Sequence, residues 1–335
     1  MKRIVKLILL PLLILSLAGC TPAAEPEQAT VFAMNTVMTL SVYGEGAEAA
    51  LVQAIEELGR LEGLFSVTRP DSDIARINGG RGEAITVSTE TAALIEEAVA
   101  LWEETGGAFS PALYPVLRAW GFTTGENQAP CDDLLAELLR YTNPGEILQN
   151  GNQITLPPEM ELDLGGIAKG YVGHILGERM AQLGIDSAIF ALGGDVYTVG
   201  ARPGGGPWRV AIRDPFGHGD IGVVAVIDQA VYTSGSYERY FIGEDGQIYH
   251  HILDPATGRP ADSGLVSVTV VTGDGARGDA LATALFVMGL TEGADFVARQ
   301  ENLEVIFLTT EGRIYVTEGL RDRFTPRDGL EINWI

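Results

Sequence analysis

Apolar residues recur at helical spacing in several stretches of the chain. Between residues 45 and 64, Leu51, Ile55, Leu58 and Leu61 would share one face of a helix. A second helix is predicted from the capping-box-like Ser88-Thr89-Glu90-Thr91 to the Gly106-Gly107 stop. The same spacing predicts further helices over residues 132–140, 169–183 and 278–300.

Alternating and β-branched segments predict the strands. Residues 31–43 alternate in part and are predicted to form one strand, and two short strands precede Asp163. From residue 187 onward, short runs rich in Val, Ile, Thr and Tyr are separated by turns that contain glycine. A helix-rich first part followed by a strand-rich second part predicts a two-lobed protein of the α+β class.

The first twenty residues have the pattern of a targeting segment. Lys2, Arg3 and Lys6 precede an apolar run that ends at Leu17-Ala18-Gly19-Cys20. This run is too short for a membrane span, so residues 1–19 are interpreted as a signal peptide. A cysteine after a leucine and two small residues resembles the lipobox of bacterial lipoproteins, which predicts lipid on Cys20. Residues 20–30 would be a linker, and residues 31–335 one domain at the extracytoplasmic face of the cell membrane.

Charge and residue counts narrow the possible partners. The chain has a formal net charge of −23, which argues against nucleic acid as a partner. Cys131 is the only cysteine besides Cys20, so no disulfide within the lipidated chain is expected. Once residues 1–19 are removed, Lys169 is the only lysine. Its position inside a glycine-rich loop favours a functional role over a solvated surface position.

That loop, Asp163-Leu-Gly-Gly-Ile-Ala-Lys-Gly170, leads from a strand-like stretch into a predicted helix. Backbone amides at such a junction can surround an anion or a cofactor. The loop is not a Walker A motif, because Lys169 follows alanine and precedes glycine. Gly193-Gly-Asp-Val196 also lacks the G-x-G-x-x-G spacing, which excludes a Rossmann dinucleotide site.

Asp279 and Thr283 stand four residues apart in a predicted helix. At that spacing their oxygens lie on one helix face, and a carboxylate with a hydroxyl suits Mg²⁺. The spacing equally allows a structural interpretation, in which Asp279 caps the helix and Thr283 bonds back to its own backbone.

His250 and His251 end a predicted strand before Ile-Leu-Asp-Pro-Ala-Thr-Gly258. Adjacent strand residues face opposite sides, so one histidine at most can enter a given site. No third histidine or cysteine lies at the spacing of a zinc site. One of the two could instead act as a general base.

Taken in order, these motifs resemble the bacterial FAD:protein FMN transferase family over residues 31–323. The matching pieces are Met34-Asn-Thr36, Phe65-Ser66, Asp71-Ser72, Asn78, residues 107–122, Asp163 to Gly170, Leu192-Gly-Gly-Asp195, Tyr232-Thr-Ser-Gly235, His250 to Gly258, and Gly278 to Leu285.

The resemblance implies a mixed α+β, T-fold-like architecture with flanking helices and an enzyme that splits FAD at its pyrophosphate. FMN would pass to a threonine of an acceptor protein, such as a membrane redox subunit, and AMP would leave. Applied residue by residue, the resemblance implies Mg²⁺ ligands at Asp279, Thr283 and the Gly166 carbonyl. It also implies that Asp279 and Lys169 belong to the catalytic machinery and that His251 acts as the base. Flavin contacts are implied for Met34, Thr68, Phe109, Ser110, Asp163, Lys169, His251 and Leu253.

Three positions depart from the family pattern. Thr68 stands where many members have tyrosine, Ser110 where aspartate is common, and Ala282 where an acid often precedes the metal-site threonine. The loss of the ring at position 68 keeps open an FAD pyrophosphatase that releases FMN and AMP. A flavin-binding lipoprotein without catalysis is the alternative from another class, and it has no need of Asp279, Thr283 and Lys169.

Overall fold

The computed structural model describes residues 25–217 and 219–335. The predicted signal peptide, Cys20 and His218 lie outside the described residues.

Seven α-helices are found in this part of the chain, together with seventeen strands. The helices are α1 Ala47–Phe65, α2 Asp73–Asn78, α3 Thr89–Glu104, α4 Tyr114–Ala119, α5 Asp132–Leu138, α6 Ala168–Gln182 and α7 Gly275–Val297. The strands are β1 Glu27–Ala33, β2 Thr36–Val42, β3 Ile85–Thr86, β4 Leu148–Asn150, β5 Gln153–Thr155, β6 Ser187–Leu192, β7 Asp195–Gly200, β8 Trp208–Arg213, β9 Asp220–Val226, β10 Ala230–Gly235, β11 Tyr240–Ile242, β12 Ile248–His250, β13 Leu265–Thr272, β14 Glu304–Thr309, β15 Ile314–Val316, β16 Phe324–Pro326 and β17 Ile332–Trp334.

A nine-stranded sheet organises the molecule, in the order β1-β2-β6-β7-β10-β13-β14-β15-β17. Its neighbours pair antiparallel except β15 and β17. Smaller sheets have the orders β16-β9-β8, β3-β5-β4 and β11-β12. Mixed sheets with helices confirm the predicted α+β class, and the antiparallel pairing is incompatible with a Rossmann fold.

The predicted single strand over residues 31–43 is instead a hairpin. β1 and β2 pair from Glu27↔Val42 to Ala33↔Thr36, and the turn consists of Met34 and Asn35 with φ of 50° and 60°. Two residues with positive φ form the turn type that best joins twisted strands. Because β1 begins at Glu27, residues 27–30 belong to the sheet rather than to the predicted linker.

The large sheet is covered on both faces. α1, α6 and α7 pack on one face, with α3 against α7, and Val268 and Val270 of β13 enter the main core on this face. The next residue, Val271, points to the opposite face and packs with the sheet that contains β8, β9 and β16. α7 is long and apolar enough to span a membrane. It lies against β10 and β13, so it is a core helix.

A small aromatic cluster attaches the β11–β12 hairpin to α4. The ring of Trp120, which is fully buried, lies 5.0 Å from Tyr249 and 6.2 Å from Phe241. The Trp120 indole N–H donates to the carbonyl of Gly258 at 2.7 Å. These contacts fix both ends of the segment that contains His250 and His251.

Candidate active site

Two glycines let α6 and α7 cross in direct backbone contact. A Cβ atom built on Gly170 would lie 2.1 Å from the Gly275 carbonyl oxygen and 2.7 Å from the Asp279 Cβ. A Cβ on Gly275 would lie 2.2 Å from the Gly170 carbonyl oxygen. No other residue type fits this crossing without movement of backbone. The close approach places Lys169 of α6 beside Asp279 of α7.

The ammonium group of Lys169 is shared by two carboxylates. Lys169 Nζ lies 2.9 Å from Asp279 Oδ1 and 3.1 Å from Asp195 Oδ2, at the start of β7. The second oxygen of Asp279 accepts the Gly170 N–H at 3.0 Å, and that of Asp195 accepts the Thr233 N–H at 2.9 Å. Both carboxylate side chains are nearly buried, with 6% and 4% of their surface exposed. We call Lys169, Asp195 and Asp279 the triad.

Burial and charge act against each other in the triad. Burial alone would lower the pKa of Lys169, but the charges of Asp195 and Asp279 outweigh it and raise that pKa. Burial raises the pKa of Asp195 to about 6, although the Lys169 ammonium opposes the shift. One ammonium therefore serves two buried carboxylates, which leaves net negative charge where a second cation could bind.

Thr283 lies one turn after Asp279 on α7. Its hydroxyl oxygen is 3.1 Å from that of Ser234, at the end of β10. α7 begins at Gly275 and is capped by Asp274, whose side chain accepts the Arg277 N–H. Asp279 therefore lies inside the helix, and the capping interpretation of this residue is wrong.

The glycine-rich loop before α6 packs on the segment that contains Phe109. The Asp163 N–H donates to the Pro111 carbonyl at 2.8 Å, and a Cβ on Gly166 would lie 3.2 Å from the Phe109 ring. The Asp163 carboxylate accepts the Gly165 N–H at 2.8 Å, so this amide is not free for an anion. Burial raises the pKa of Asp163 against the opposing effects of the Gly165 amide and Arg239. The Ser110 hydroxyl accepts the Ala112 N–H at 3.3 Å.

His251 Nδ1 lies 3.1 Å from the Arg239 carbonyl oxygen. Since a carbonyl can only accept, Nδ1 carries the proton in the neutral ring and Nε2 keeps its lone pair. Burial lowers the pKa of His251 to about 3, and the charge of Arg239 adds to this effect. His250 instead packs edge-on against Phe286 of α7, at 5.6 Å between ring centres. Leu253, two residues after His251, is buried.

Met34 is bonded to the last turn of α1, and Thr68 follows the end of α1 in the chain. The Met34 N–H donates to Glu62 Oε1 at 2.6 Å. Thr68 is exposed, with its hydroxyl 3.1 Å from that of Ser66. In the described part of the chain, no hydrogen bond joins Met34, Thr68 or His251 to the triad. The structure thus brings Lys169 into contact with Asp279, and Gly166 into contact with Phe109. Met34, Thr68 and His251 lie in three separate loops.

The sequence alone predicts no role for Asp195 or Ser234. In the structure Asp195 contacts Lys169, and Ser234 contacts Thr283. The sequence signal for Asp195 is its place directly after the Gly193-Gly194 turn. The structure adds that a partly buried lysine needs a carboxylate partner.

The donors near the triad are oxygens. Within residues 25–217 and 219–335, no cluster of three His, Cys, Asp or Glu side chains could hold a metal ion. The Asp279 carboxylate and, one turn later on α7, the Thr283 hydroxyl are oxygen donors, and the family resemblance adds the Gly166 carbonyl in the loop before α6. Mg²⁺ is commonly bound by one or two carboxylates, with substrate phosphates completing its shell, so this set fits Mg²⁺.

Comparisons with known proteins agree with one another. Residues 34–307 match the model of the ApbE family. The chain is 33% identical over 301 residues to an FAD:protein FMN transferase from Klebsiella pneumoniae, covering 88% of this chain and 93% of that protein. It is also 33% identical over 318 residues to one from Treponema pallidum, covering 88% of each. The crystal structure of the ApbE protein from Thermotoga maritima superposes with a TM-score of 0.85 at 31% identity, covering 91% of this chain and 100% of that one.

Proposed function

The chain belongs to the ApbE family and is a flavin transferase, and on this basis we propose that it moves FMN from FAD to a threonine of an acceptor protein with Mg²⁺. The acceptor hydroxyl oxygen would attack the phosphorus on the FMN side of the pyrophosphate. The bond from that phosphorus to the bridging oxygen would break, and AMP would leave with that oxygen. The observation that carries the proposal is the triad with its two nearly buried carboxylates, one of which, Asp279, lies one helical turn before the Thr283 hydroxyl on α7.

Asp279, Thr283 and the Gly166 carbonyl would hold the metal ion. When bound, Mg²⁺ would neutralise part of the negative charge of the pyrophosphate and stabilise the negative charge that develops during phosphoryl transfer. A chain with a net charge of −23 would otherwise repel this anion. The ammonium of Lys169, which also contacts Asp195, would add a second positive charge beside the metal ion.

His251 would accept the proton of the attacking hydroxyl at Nε2. The Arg239 carbonyl holds the ring in the tautomer that leaves this nitrogen as an acceptor. The low pKa of His251 keeps the ring neutral in the metal-free protein. The flavin would contact residues of the surrounding loops, namely Met34, Thr68, Phe109, Ser110, Asp163, His251 and Leu253.

The test uses the protein with FAD, Mg²⁺ and a candidate acceptor domain, and mass spectrometry to detect covalently added FMN. Asp279→Ala should abolish the mass shift, because the metal loses its only proposed carboxylate ligand. Asp295→Ala is the matched control, since Asp295 is an exposed aspartate on the same helix, and it should retain activity. Full activity in Asp279→Ala would remove the metal assignment.

A hydrolytic variant of the same chemistry is favoured by one observation. Thr68 is exposed and places no aromatic ring in its loop. If water rather than an acceptor reached the phosphorus, FMN and AMP would appear without acceptor. Rapid release of both products in that reaction would favour the pyrophosphatase, whereas FAD that stays intact for hours with Mg²⁺ would favour a flavin carrier.

We propose that the protein lies at the extracytoplasmic face of the cell membrane, anchored by lipid on Cys20, with a membrane redox subunit as acceptor. The sequence around Cys20 supports this location. Cys20→Ala should move the protein from the membrane fraction to the soluble fraction, as followed by immunoblot. An unchanged membrane fraction would contradict the lipid anchor.

A further inference from the structure

The triad is built so that one ammonium can serve either carboxylate. Asp279 and Asp195 each use one oxygen to accept a backbone N–H and the other to contact Lys169 Nζ. The two contacts, 2.9 Å and 3.1 Å, are of nearly equal length. Both carboxylates stay fixed by the backbone if the ammonium leaves one of them.

A divalent cation and the ammonium compete for the same oxygen. Asp279 Oδ1 is the atom that contacts Lys169, while Asp279 Oδ2 is engaged by the Gly170 N–H. Two cations on one nearly buried oxygen repel each other strongly, because water screens them little there. A metal ion that binds Asp279 Oδ1 is therefore most stable when the ammonium has moved away from this oxygen.

We propose that Lys169 holds the place of the divalent cation in the metal-free protein, and that Asp195 is a positioning residue that retains the ammonium when the cation takes Asp279. The inference rests on the metal site of the proposed function. Its geometric basis is that Asp195 Oδ2 already contacts the ammonium, so the exchange needs only rotation at the end of the lysine side chain.

The exchange changes the sign of the net charge at the site. Two carboxylates and one ammonium carry a net charge of −1, and a divalent cation makes it +1. The metal-free triad would repel a diphosphate, and the loaded triad would attract it. Divalent cation binding would thus precede productive binding of the dinucleotide, with Lys169 kept beside it.

Calorimetric titration of the metal-free, full-length protein with Mg²⁺ tests the exchange. Asp195→Asn should weaken Mg²⁺ binding by about 10–100-fold, as is typical for residues that orient metal ligands. Lys169→Met should bind Mg²⁺ more tightly than the wild type. In the Lys169→Met background, Asp195→Asn should change the affinity by less than about 3-fold, because its effect acts through the ammonium.

An equal loss of affinity from Asp195→Asn in both backgrounds would overturn the proposal, since Asp195 would then act through its own charge. A wild-type protein that binds no Mg²⁺ would overturn the metal site of the proposed function itself. Asp295→Asn is the control and should leave the affinity unchanged.

A spectroscopic measurement tests the exchange without any substitution in the triad, so its result does not depend on whether the triad variants fold. With Lys2 and Lys6 replaced by arginine, Lys169 is the only lysine of the full-length chain. ¹⁵N-lysine labelling then gives one side-chain ammonium signal. This signal should shift on Mg²⁺ addition and stay protected from exchange with water, whereas in Asp195→Asn it should lose protection. An unchanged signal after Mg²⁺ has bound would refute the exchange.

Discussion

Gly170→Ala tests whether the α6–α7 crossing builds the site. The substitution adds one methyl group in the first turn of α6, where the Gly170 N–H donates to Asp279. The new Cβ would lie 2.1 Å from the Gly275 carbonyl oxygen and 2.7 Å from the Asp279 Cβ. Both neighbours belong to α7, so the two helices must move apart or the backbone must distort.

Two opposing effects decide the sign of the stability change. Alanine is better than glycine inside a helix by about 1 kcal/mol. Overpacking in a tight core typically costs about 1–3 kcal/mol, and a contact with backbone atoms belongs at the upper end because they cannot rotate away. We therefore expect Gly170→Ala to lower the free energy of unfolding by about 2 kcal/mol.

Urea denaturation followed by circular dichroism measures this change, and Gly59→Ala is the matched control. Gly59 lies inside α1, and nothing lies within 4 Å of a Cβ built there. Gly59→Ala should therefore stabilise the protein by up to about 1 kcal/mol, opposite in sign to Gly170→Ala. If both substitutions stabilise the protein equally, the close crossing does not exist in solution.

Two further predictions concern the segment around His251. The pKa of His251 is lowered in the folded protein to about 3, below its usual value, so the folded state binds fewer protons than the unfolded chain between these pH values. The contribution of His251 to stability should be fully present above about pH 6.5 and should fall on acidification by at most about 1.4 kcal/mol per pH unit. His251→Asn should therefore reduce the loss of stability between pH 7 and pH 5, measured by urea denaturation. Equal losses in the variant and the wild type would contradict the lowered pKa of His251. Trp120→Phe leaves the Gly258 carbonyl without its hydrogen-bond donor, so it should lower the free energy of unfolding by about 1–3 kcal/mol. Urea denaturation measures this change. A loss below about 0.5 kcal/mol would show that water replaces the indole N–H.

The helices were predictable where local signals are strong. The Ser88 cap of α3 is confirmed, since its hydroxyl accepts the Thr91 N–H at 3.1 Å. α7 begins at Gly275 rather than at the predicted residue 278, because Asp274 supplies the cap. The β1–β2 hairpin escaped prediction because its turn contains no glycine, and Met34 gives no local signal for a positive φ.

The family and the transferase class were predictable from ordered motifs, and the comparisons confirm both. The spacing of Asp279 and Thr283 could not decide between a metal site and a helix cap. Only the observed start of α7 excludes the cap. The roles of the individual site residues stay predictions, for which the experiments above provide the tests.

The pairing within the triad could not be read from any local pattern. Lys169 and Asp279 are 110 positions apart, and only the crossing of α6 and α7 sets their distance. The glycines at 170 and 275 determine that crossing, yet in the sequence they resemble ordinary helix-terminal glycines. Burial adds a constraint, because a lysine with little exposed surface requires carboxylates around it. Lys169 is the only lysine beyond residue 6, so it is the residue to which this constraint applies. The glycines and the triad therefore form one structural unit, and a change in helix spacing should alter cation binding even when every charged side chain is kept.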